Sequence, residues 1–231
     1  NERHEAWGSL ARKLAHEIKN PLTPIQLTID RLKNKYSEQL TEKNKDNFKE
    51  NLKIINSQIK QIEKLVNEFS DFARMPKPIF QKNDLVDLLK ENIKLLQELD
   101  NTIDITIENN LQKIILESDK EQLSRVFLNL IKNSIESIHQ KDENASNTNK
   151  KIAIELNDED DHINFTIIDT GVGFGNLKSS IKDILNPYFT TKKNGTGLGL
   201  SIVNKIINDH NGNIEFIPID NGAKIKILFK K

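Results

Sequence analysis

A histidine beside an acid stands near the start of the chain. His16 and Glu17 lie in Leu14-Ala15-His16-Glu17-Ile18-Lys19-Asn20-Pro21-Leu22, and Asn20 follows the histidine by one helical turn. At helical spacing these three side chains share one side of the helix, where they can meet a ligand from outside the bundle. The alternative from this stretch alone is an ordinary solvent-facing histidine on a charged helix.

Two asparagines and an aspartate are candidates for holding a nucleotide. Asn129 and Asn133 lie one turn apart on a predicted helix, and a carboxamide oxygen is a suitable ligand for Mg²⁺ that carries phosphates. Asp169-Thr170-Gly171-Val172-Gly173 follows an apolar strand, so a carboxylate at the strand end can accept the amino group of adenine. The Asp-Thr-Gly triplet also occurs in aspartic proteases and in simple turns, which leaves two alternatives open.

A second glycine cluster opens a helix. Gly195-Thr196-Gly197-Leu198-Gly199 places backbone N–H groups and the positive end of the helix dipole toward an anion. It has neither the dinucleotide-binding spacing nor the Gly-Lys-Ser/Thr ending of a P-loop. The preceding segment 174–194 has little apolar periodicity and is expected to form a lid. Within it, Phe189 can cover the site, while Thr191 and Lys192 offer a hydroxyl and a cation for phosphate.

Composition excludes several classes of protein. The 231 residues carry 34 basic and 34 acidic side chains, so no surplus of positive charge suggests nucleic acid as a partner. There is no cysteine, which excludes disulfides and thiolate chemistry. No apolar run approaches the roughly 18 residues of a membrane span, and no signal peptide opens the chain. We expect a soluble piece of a longer protein, because the chain begins abruptly in a helical pattern.

The first 76 residues read as two helices. An apolar seam in steps of three and four predicts one helix over 4–36, and a second such seam runs to residue 73. The first seam comprises Ala15, Ile18, Leu22, Ile25, Ile29, Leu32 and Tyr36, and the second Phe48, Leu52, Ile55, Ile59, Ile62, Val66, Phe69 and Ala73. One antiparallel hairpin cannot cover its seam on both sides, which favours a homodimer with a four-helix bundle over a monomeric hairpin packed on the rest of the chain.

Prolines punctuate this region. Pro21 and Pro24 fall within the first seam without changing its phase, which favours one helix with a bend past His16 over a separate helix that starts at Pro21. Met75-Pro76-Lys77-Pro78 ends the second helix. The sequence therefore predicts two domains, a helical hairpin over 1–76 and a second domain over 77–231.

The second domain mixes helices and strands. An α+β architecture with helices on one face of a sheet is predicted, with Asp119 as an N-cap and Gln122 at the capping-box position. The predicted helices cover 84–99, 119–139 and 198–210, and the predicted strands cover 103–107, 114–116, 151–157, 162–169, 213–218 and 223–229. A mobile loop is expected over 140–150, which is rich in Asn, Ser, Asp and Lys.

In this order and spacing, the motifs resemble those of sensor histidine kinase cores. These are His-Glu-x-x-Asn-Pro, Asn-x-x-x-Asn, Asp-x-Gly-x-Gly, Phe-Thr-Thr-Lys and Gly-x-Gly-x-Gly. The stretches 15–27 and 67–78 further resemble NtrY-type kinases of the nitrogen-regulation group. The resemblance implies a dimerisation and histidine-phosphotransfer hairpin followed by an ATP-binding α/β sandwich of the GHKL (Bergerat) type.

The resemblance also implies roles for the candidate residues. His16 would accept the phosphoryl group of ATP, Glu17 would take the ring proton, and Asn20 would position water to dephosphorylate a partner. Asn133 would be the principal Mg²⁺ ligand beside Asn129, and Asp169 would bind adenine. The pocket and its lid would be shaped by Gly171, Gly173, Phe189, Thr191, Lys192, Gly195, Gly197, Leu198 and Gly199.

The implied partners are a second copy and the receiver domain of an NtrX-like response regulator. The implied location is the cytoplasmic portion of a membrane-anchored sensor, with the membrane reached only through segments outside this chain. Many such kinases carry a basic residue where this chain has Glu136, and Lys132, Lys192 or Arg125 could compensate.

Two other functions stay open at this point. Glu136 is compatible with a dimeric scaffold or relay that has weak kinase activity. A GHKL ATPase of the chaperone or topoisomerase kind would need a catalytic acid where this chain has Asn129. The signal, the regulator, the balance of kinase and phosphatase, and phosphorylation within or between subunits are not determined by sequence.

Overall fold

A computed structural model describes residues 2–37, 39–73, 75–108, 113–142, 150–174, 184–186, 189–190 and 195–231. The chain forms two compact units. The first comprises Asn1–Pro76 and Thr190–Leu198, and the second comprises Lys77–Phe189 and Gly199–Lys231. Within the described residues, no helix combines the length and the apolar character that crossing a bilayer requires.

Two long helices make up most of the first unit. Helix α1 spans Glu2–Tyr36 and α2 spans Glu42–Ala73. The second helix begins six residues before the first apolar residue of its seam, because the N–H groups of Asn44 and Lys45 already donate to the Thr41 carbonyl. Charged residues that form helices readily thus extend α2 ahead of its apolar seam.

The hairpin covers only half of each apolar seam. Ala15, Leu22 and Ile29 of α1 are buried, whereas Ile18, Ile25 and Leu32 remain exposed. In α2 the same alternation leaves Leu52, Ile59 and Val66 buried and Ile55 and Ile62 exposed. Pairing of α1 with α2 therefore uses one stripe of each helix and leaves a second, parallel stripe uncovered.

Helix α1 is continuous through Pro21 and Pro24. Proline has no N–H, so the carbonyl four residues before each proline receives no backbone hydrogen bond from it. The structure thus agrees with one helix rather than with a break at Pro21.

The second unit contains three helices and seven strands among its described residues. Helices α3, α4 and α5 span Leu85–Leu99, Lys120–Asp142 and Gly199–Asp209. The strands are β1 Gln81–Asp84, β2 Asp104–Glu108, β3 Ile115–Ser118, β4 Lys151–Asp158, β5 His162–Asp169, β6 Gly212–Ile219 and β7 Gly222–Lys230. Of the loop expected over 140–150, residues 140–142 belong to α4 and 143–149 lie outside the described part.

Five strands form the main sheet in the order β2-β4-β5-β7-β6, and β1 pairs with β3 separately. Strands β2 and β4 are parallel, and the other neighbours in the main sheet are antiparallel. Along β4, the side chains of Ile152, Ile154 and Leu156 are buried and their neighbours are partly exposed, as in a sheet covered on one face. The register pairs Asp169, the last residue of β5, with Ile152 and Ala223.

Asp119 caps α4 through partners on both sides. Its Oδ1 accepts the N–H of Gln122 at 3.0 Å, which confirms the predicted N-cap. Its own N–H donates to Nε2 of the buried His210 at 3.0 Å, so His210 provides the acceptor that the capping-box prediction assigned to Gln122. The other carboxylate oxygen of Asp119 accepts the N–H of Ile79 at 2.8 Å.

Candidate functional site

His16, Glu17 and Asn20 are all exposed on one turn of α1. At 100° per residue, the exposed apolar residues Ile18 and Ile25 lie about 160–180° round the helix from His16. His16 therefore faces away from the uncovered apolar stripe. A second helix that packed on the stripe would leave the imidazole accessible.

A buried carboxylate lies at the end of β5. Asp169 is 4% exposed, and its two oxygens accept the Ser134 hydroxyl and the Gly171 N–H, each at 2.9 Å. Burial raises the pKa of this carboxyl above its ordinary value, and the hydrogen bonds from Gly171 and Ser134 oppose that shift. Each carboxylate oxygen has a second lone pair, so Asp169 can still accept an amino group of a ligand.

Glycines bring the loop after β5 close to its neighbours. A Cβ at Gly171 would lie 2.2 Å from the Ser137 hydroxyl oxygen of α4, and one at Gly173 would lie 2.1 Å from the carbonyl oxygen of Gly222. Gly173 also has a φ of 67°, a conformation that side chains disfavour. The N–H of Val172 donates to Ser137, which fixes this loop on α4. Together these contacts hold the loop beside Asp169.

Helices α4 and α5 meet at Asn129. Its amide group donates to the Arg125 carbonyl at 2.8 Å, which leaves its carbonyl oxygen available, and a Cβ on Gly199 would lie 3.2 Å from that oxygen. Asn133 is half-buried one turn along α4 from Asn129, while Glu136 is exposed. The start of α5 thus lies beside Asn129 of α4.

The residues that directly precede α5, Thr190–Leu198, belong to the first compact unit. The Thr196 hydroxyl donates to the Glu68 carboxylate of α2, and the N–H of Leu198 donates to the same hydroxyl oxygen at 3.4 Å. Gly197 has a φ of 70°, and Leu198 is fully buried. Gly195 is partly exposed.

Much of the predicted lid lies outside the described residues, including Thr191 and Lys192. Phe189 is partly exposed, and its N–H donates to the Asn186 carbonyl at 3.2 Å. The expectations for the lid therefore stay predictions.

Sequence reasoning missed three residues that position Asp169. Ser134 binds the carboxylate directly, Ser137 receives the loop, and Gly222 packs on the Asp169 carbonyl. The sequence feature that could have identified Ser134 is its position directly after Asn133 in α4. Gly222 lies at the β6–β7 turn, and its contact with Asp169 depends on strand pairing that local sequence does not contain.

Asp169 is a buried acceptor that the Ser134 hydroxyl and the Gly171 N–H already orient. Carboxamide oxygens on α4 are suitable for Mg²⁺.

Comparison with protein families covers most of the chain. Residues 6–78 match the His Kinase A (phospho-acceptor) domain, and residues 118–231 match the histidine kinase-, DNA gyrase B- and HSP90-like ATPase domain. The chain belongs to the sensor histidine kinase family. This histidine kinase core therefore combines a phospho-acceptor hairpin with a GHKL domain, as the motifs predicted.

Relatives of this histidine kinase core include NtrY proteins. It is 37% identical over 229 residues to an NtrY-like sensor histidine kinase of Rickettsia felis, and 34% identical over 232 residues to the nitrogen regulation protein NtrY of Azorhizobium caulinodans. Each alignment covers 99% of this chain, but only 37% and 29% of the relative. The chain thus spans about a third of the length of these relatives.

Solved structures show the same fold. The histidine kinase ThkA in complex with response regulator protein TrrA is 26% identical with a TM-score of 0.64, and the match covers 100% of this chain and 63% of that one. The catalytic domain of ThkA alone is 28% identical with a TM-score of 0.54, and the match covers 66% of this chain and 96% of that one.

Proposed function

We propose that this core transfers the γ-phosphoryl group of Mg-ATP to His16 and then to an aspartate of a response regulator. The observation that carries the nucleotide part is Asp169, a buried and oriented acceptor at the strand end. The exposed His16 supplies an acceptor for the phosphoryl group on the other unit. Residues 1–76 would act as the acceptor hairpin and 77–231 as the ATP-binding domain.

In the proposed reaction a neutral imidazole nitrogen of His16 attacks the γ-phosphorus. A P–N bond forms, the bond from phosphorus to the oxygen bridging to the β-phosphate breaks, and ADP leaves with that oxygen. Glu17 takes the proton from the other ring nitrogen, so the ring does not become a cation as the P–N bond forms. Such transfers depend mostly on positioning and charge neutralisation.

Different residues of the second domain and of the segment before α5 would bind different parts of Mg-ATP. Asp169 accepts the adenine amino group, and Asn133 beside Asn129 holds Mg²⁺, which when bound neutralises phosphate charge. Backbone N–H groups at the start of α5 face the phosphates. Gly171, Gly173, Gly195, Gly197, Leu198, Gly199, Phe189, Thr191 and Lys192 shape or cover the pocket.

The uncovered stripe supports a homodimer as the working form. Leu14, Ile18, Ile25 and Leu32 of α1 are 38–45% exposed, and Ile55 and Ile62 of α2 are 45% and 40% exposed. Water-exposed aliphatic residues at heptad spacing are stabilised when a second hairpin covers them. A four-helix bundle of two copies buries both stripes at once.

The name of the NtrY relatives and the regulator in the ThkA complex support an NtrX-like regulator as partner. The relatives are about three times longer than this chain and are called sensors, which supports a place in the cytoplasmic portion of a membrane-anchored protein.

The deciding experiment is incubation with γ-labelled ATP and Mg²⁺, comparing the wild type with His16→Gln. An acid-labile, alkali-stable label that disappears in the variant is expected. Nucleotide binding without any label, together with dephosphorylation of a phosphorylated regulator, would instead favour a scaffold or phosphatase with weak kinase activity, as Glu136 allows.

Asn20 separates the two proposed activities. Asn20→Ala should leave labelling of His16 within about twofold of the wild type and reduce regulator dephosphorylation by 10-fold or more, since an amide that positions water acts only in hydrolysis. Both rates are measured on the same preparation. An equal loss of the two activities would contradict the role of Asn20.

A further inference from the structure

A lysine of α4 binds the peptide group that directly follows Asp169. Nζ of Lys141 donates to the Thr170 carbonyl oxygen at 2.9 Å. The N–H of Gly171 donates to Oδ1 of Asp169, also at 2.9 Å. That carbonyl and that N–H belong to one trans peptide unit, which is planar and directs the two groups oppositely. One rigid group therefore connects the Lys141 ammonium with the Asp169 carboxylate.

Lys141 belongs to a row of three α4 side chains that bind the end of β5 and the loop after it. Counted at 100° per residue, Ser137 and Lys141 lie within about 60° of Ser134 round the helix. The Ser134 hydroxyl donates to the Asp169 carboxylate, and the Ser137 hydroxyl oxygen accepts the N–H of Val172 at 3.1 Å. Lys141 is the charged member of this row.

The contact made by Lys141 differs from that of an ordinary lysine at a helix end. Lysines in a last turn commonly interact with the final carbonyls of their own helix and complement its dipole. Lys141 lies in the last turn of α4, but it is half-buried and binds a carbonyl outside the helix. A charged donor makes a stronger hydrogen bond and polarises the peptide that it contacts. The N–H of Gly171 thereby becomes a better donor to the carboxylate.

The other side of Thr170 is fixed to β4. Its N–H donates to the Lys151 carbonyl at 3.2 Å, and its hydroxyl oxygen accepts the Lys151 N–H at 3.1 Å. The peptide between Thr170 and Gly171 is thus held by β4 on one side and by Lys141 on the other. Without Lys141 the carbonyl could turn toward water, and the Gly171 N–H would turn with it.

On the sheet, the charged neighbours of Asp169 are directed elsewhere. Lys224 of β7 follows the residue that pairs with Asp169, so its side chain lies on the other face of the sheet. The Lys151 ammonium of β4 pairs with the Glu108 carboxylate at 3.3 Å. Asp220, in the turn between β6 and β7, is exposed to solvent.

On α4, the titratable side chains between the members of the row also lie elsewhere. Glu136 and His139 project about 100–160° round the helix from those members, and His139 binds Asp100. Burial raises the pKa of the Asp169 carboxyl, and the positive charge of Lys141 opposes that shift together with the hydrogen bonds. The electrostatic effect of Lys141 thus agrees with its geometry.

We propose that Lys141 is a positioning residue for adenine recognition, which acts through the Thr170–Gly171 peptide to hold Asp169 as an oriented acceptor. This inference rests on the proposed function, because it deepens the adenine role of Asp169. Lys141 needs no contact with the nucleotide in this role. An ionised carboxylate only accepts hydrogen bonds, which matches the amino group of adenine.

The first test is made on the intact core without nucleotide. The Gly171 amide binds the carboxylate, so its ¹⁵N–¹H chemical shifts should titrate with Asp169. Lys141→Met should raise the midpoint of this titration by about 0.5–1 pH unit, because a nearby positive charge favours the ionised carboxylate. Lys141→Arg keeps the charge and a donor, so its midpoint should stay within about 0.2 pH unit of the wild type.

Lys120→Met is the matched control, because it removes the same charge from the first residue of α4. Lys120 lies about 30 Å along the helix from Lys141, well beyond the Debye length of about 10 Å at 0.1 M salt. The Gly171 titration should therefore be the same in this variant as in the wild type.

The second test measures binding of ATP across the same pH range. Affinity should fall as the pH falls through the pKa of Asp169, and in Lys141→Met this loss should occur at a pH that is higher by the shift of the Gly171 titration. At pH 7, Lys141→Met should weaken binding about 3- to 10-fold, since the acceptor is less well oriented. Lys141→Arg and Lys120→Met should stay within about twofold of the wild type.

An unchanged Gly171 titration in Lys141→Met would overturn the proposal. So would an ATP affinity that falls by the same factor at every pH, because a purely structural contact gives that result. An ATP affinity that Asp169→Asn leaves unchanged would refute the adenine site and this proposal with it. The Gly171 titration needs no nucleotide, so its failure refutes the role of Lys141 alone.

Discussion

At the scale of single residues, Asp169 combines burial with hydrogen bonds that favour its charged form. Desolvation raises the pKa of the carboxyl, while the Gly171 N–H and the Ser134 hydroxyl oppose that shift. Ionised Asp169 is an acceptor only, which suits an adenine amino group, whereas a protonated carboxyl would present a donor.

Asp169→Asn should weaken ATP binding roughly 10- to 100-fold, because a hydrogen bond to a charged group is lost and an amide can present its NH₂ to the base. The wild type should also lose affinity as the pH falls through the raised pKa of Asp169, hence at a higher pH than for an ordinary carboxyl of pKa 3.8. Titration of a fluorescent ATP analogue across pH measures both effects. Asp87→Asn on the exposed face of α3 is the control, and an unchanged affinity in Asp169→Asn would contradict the adenine role.

At the scale of elements, a hydrogen-bonded carboxylate joins the end of α3 to α4. Asp100 ends α3, and its carboxylate accepts the hydroxyl and N–H of Thr102 at 2.7 and 2.9 Å and contacts His139 of α4 at 2.7 Å. The Thr102 hydroxyl, then its N–H and then His139 lower the pKa of Asp100 to about 2.

Asp100→Asn should therefore lower the free energy of unfolding by about 1 kcal/mol at pH 7, a value reduced by solvent screening. Because the folded-state pKa is depressed, this stabilisation is complete above the unfolded value of 3.8 and is lost as the pH falls through about 2. Urea unfolding at several pH values should show the difference between wild type and variant shrinking over that range. A stability difference that stays constant with pH would exclude the depressed pKa of Asp100 as its cause. The control is Asp104→Asn, at an exposed position in β2.

Gly222 connects the β6–β7 turn with the end of β5. It has a φ of 129°, and a Cβ there would lie 1.7 Å from the Asp169 carbonyl oxygen. Gly222→Ala should cost about 3 kcal/mol or more of stability and also weaken ATP binding, because relief of the clash moves the strand end that carries Asp169. Thermal unfolding and ATP titration measure the two effects. Asn221→Ala, at the adjoining turn position, should change stability by no more than about 0.5 kcal/mol, and equal effects of the two variants would contradict the close-packing argument.

Local sequence patterns predicted the helices and strands better than they predicted which of them lie side by side in the fold. The helices, the β4–β5 pair and the β6–β7 hairpin follow from period and turn residues, which are local signals. Strand β1 was missed because Gln-Lys-Asn-Asp has no apolar alternation and pairs with β3 only through the tertiary fold. Ser134 and Gly222 were missed for the same reason, since both contact Asp169 across long sequence separations.

At the scale of the whole molecule, the two stripes of the hairpin have different consequences. The stripe of Leu22, Ile29, Leu52 and Ile59 is already buried within one chain. The second stripe remains exposed in the single chain, so its burial depends on association.

Ile25→Glu should convert the proposed dimer to a monomer, because it would place a charge in the apolar interface of the two hairpins. Light scattering after size exclusion should then report 26.5 kDa in place of twice that mass. Leu27→Glu is the matched control, since Leu27 is 53% exposed but lies on the His16 side of α1. A dimer that persists in Ile25→Glu would mean that another surface holds the copies together.

The start of α4 carries its own spectroscopic reporter. Nε2 of His210 accepts the N–H of Asp119, and Nδ1 lies 2.8 Å from the Ile206 carbonyl and so carries the hydrogen. The ring is thereby fixed as a single neutral tautomer, and imidazole ¹⁵N chemical shifts distinguish the two tautomers from each other and from the cation. Isotope labelling of histidine would let an observer follow, in solution and without any added probe, whether the beginning of the asparagine-bearing helix stays anchored while nucleotide binds.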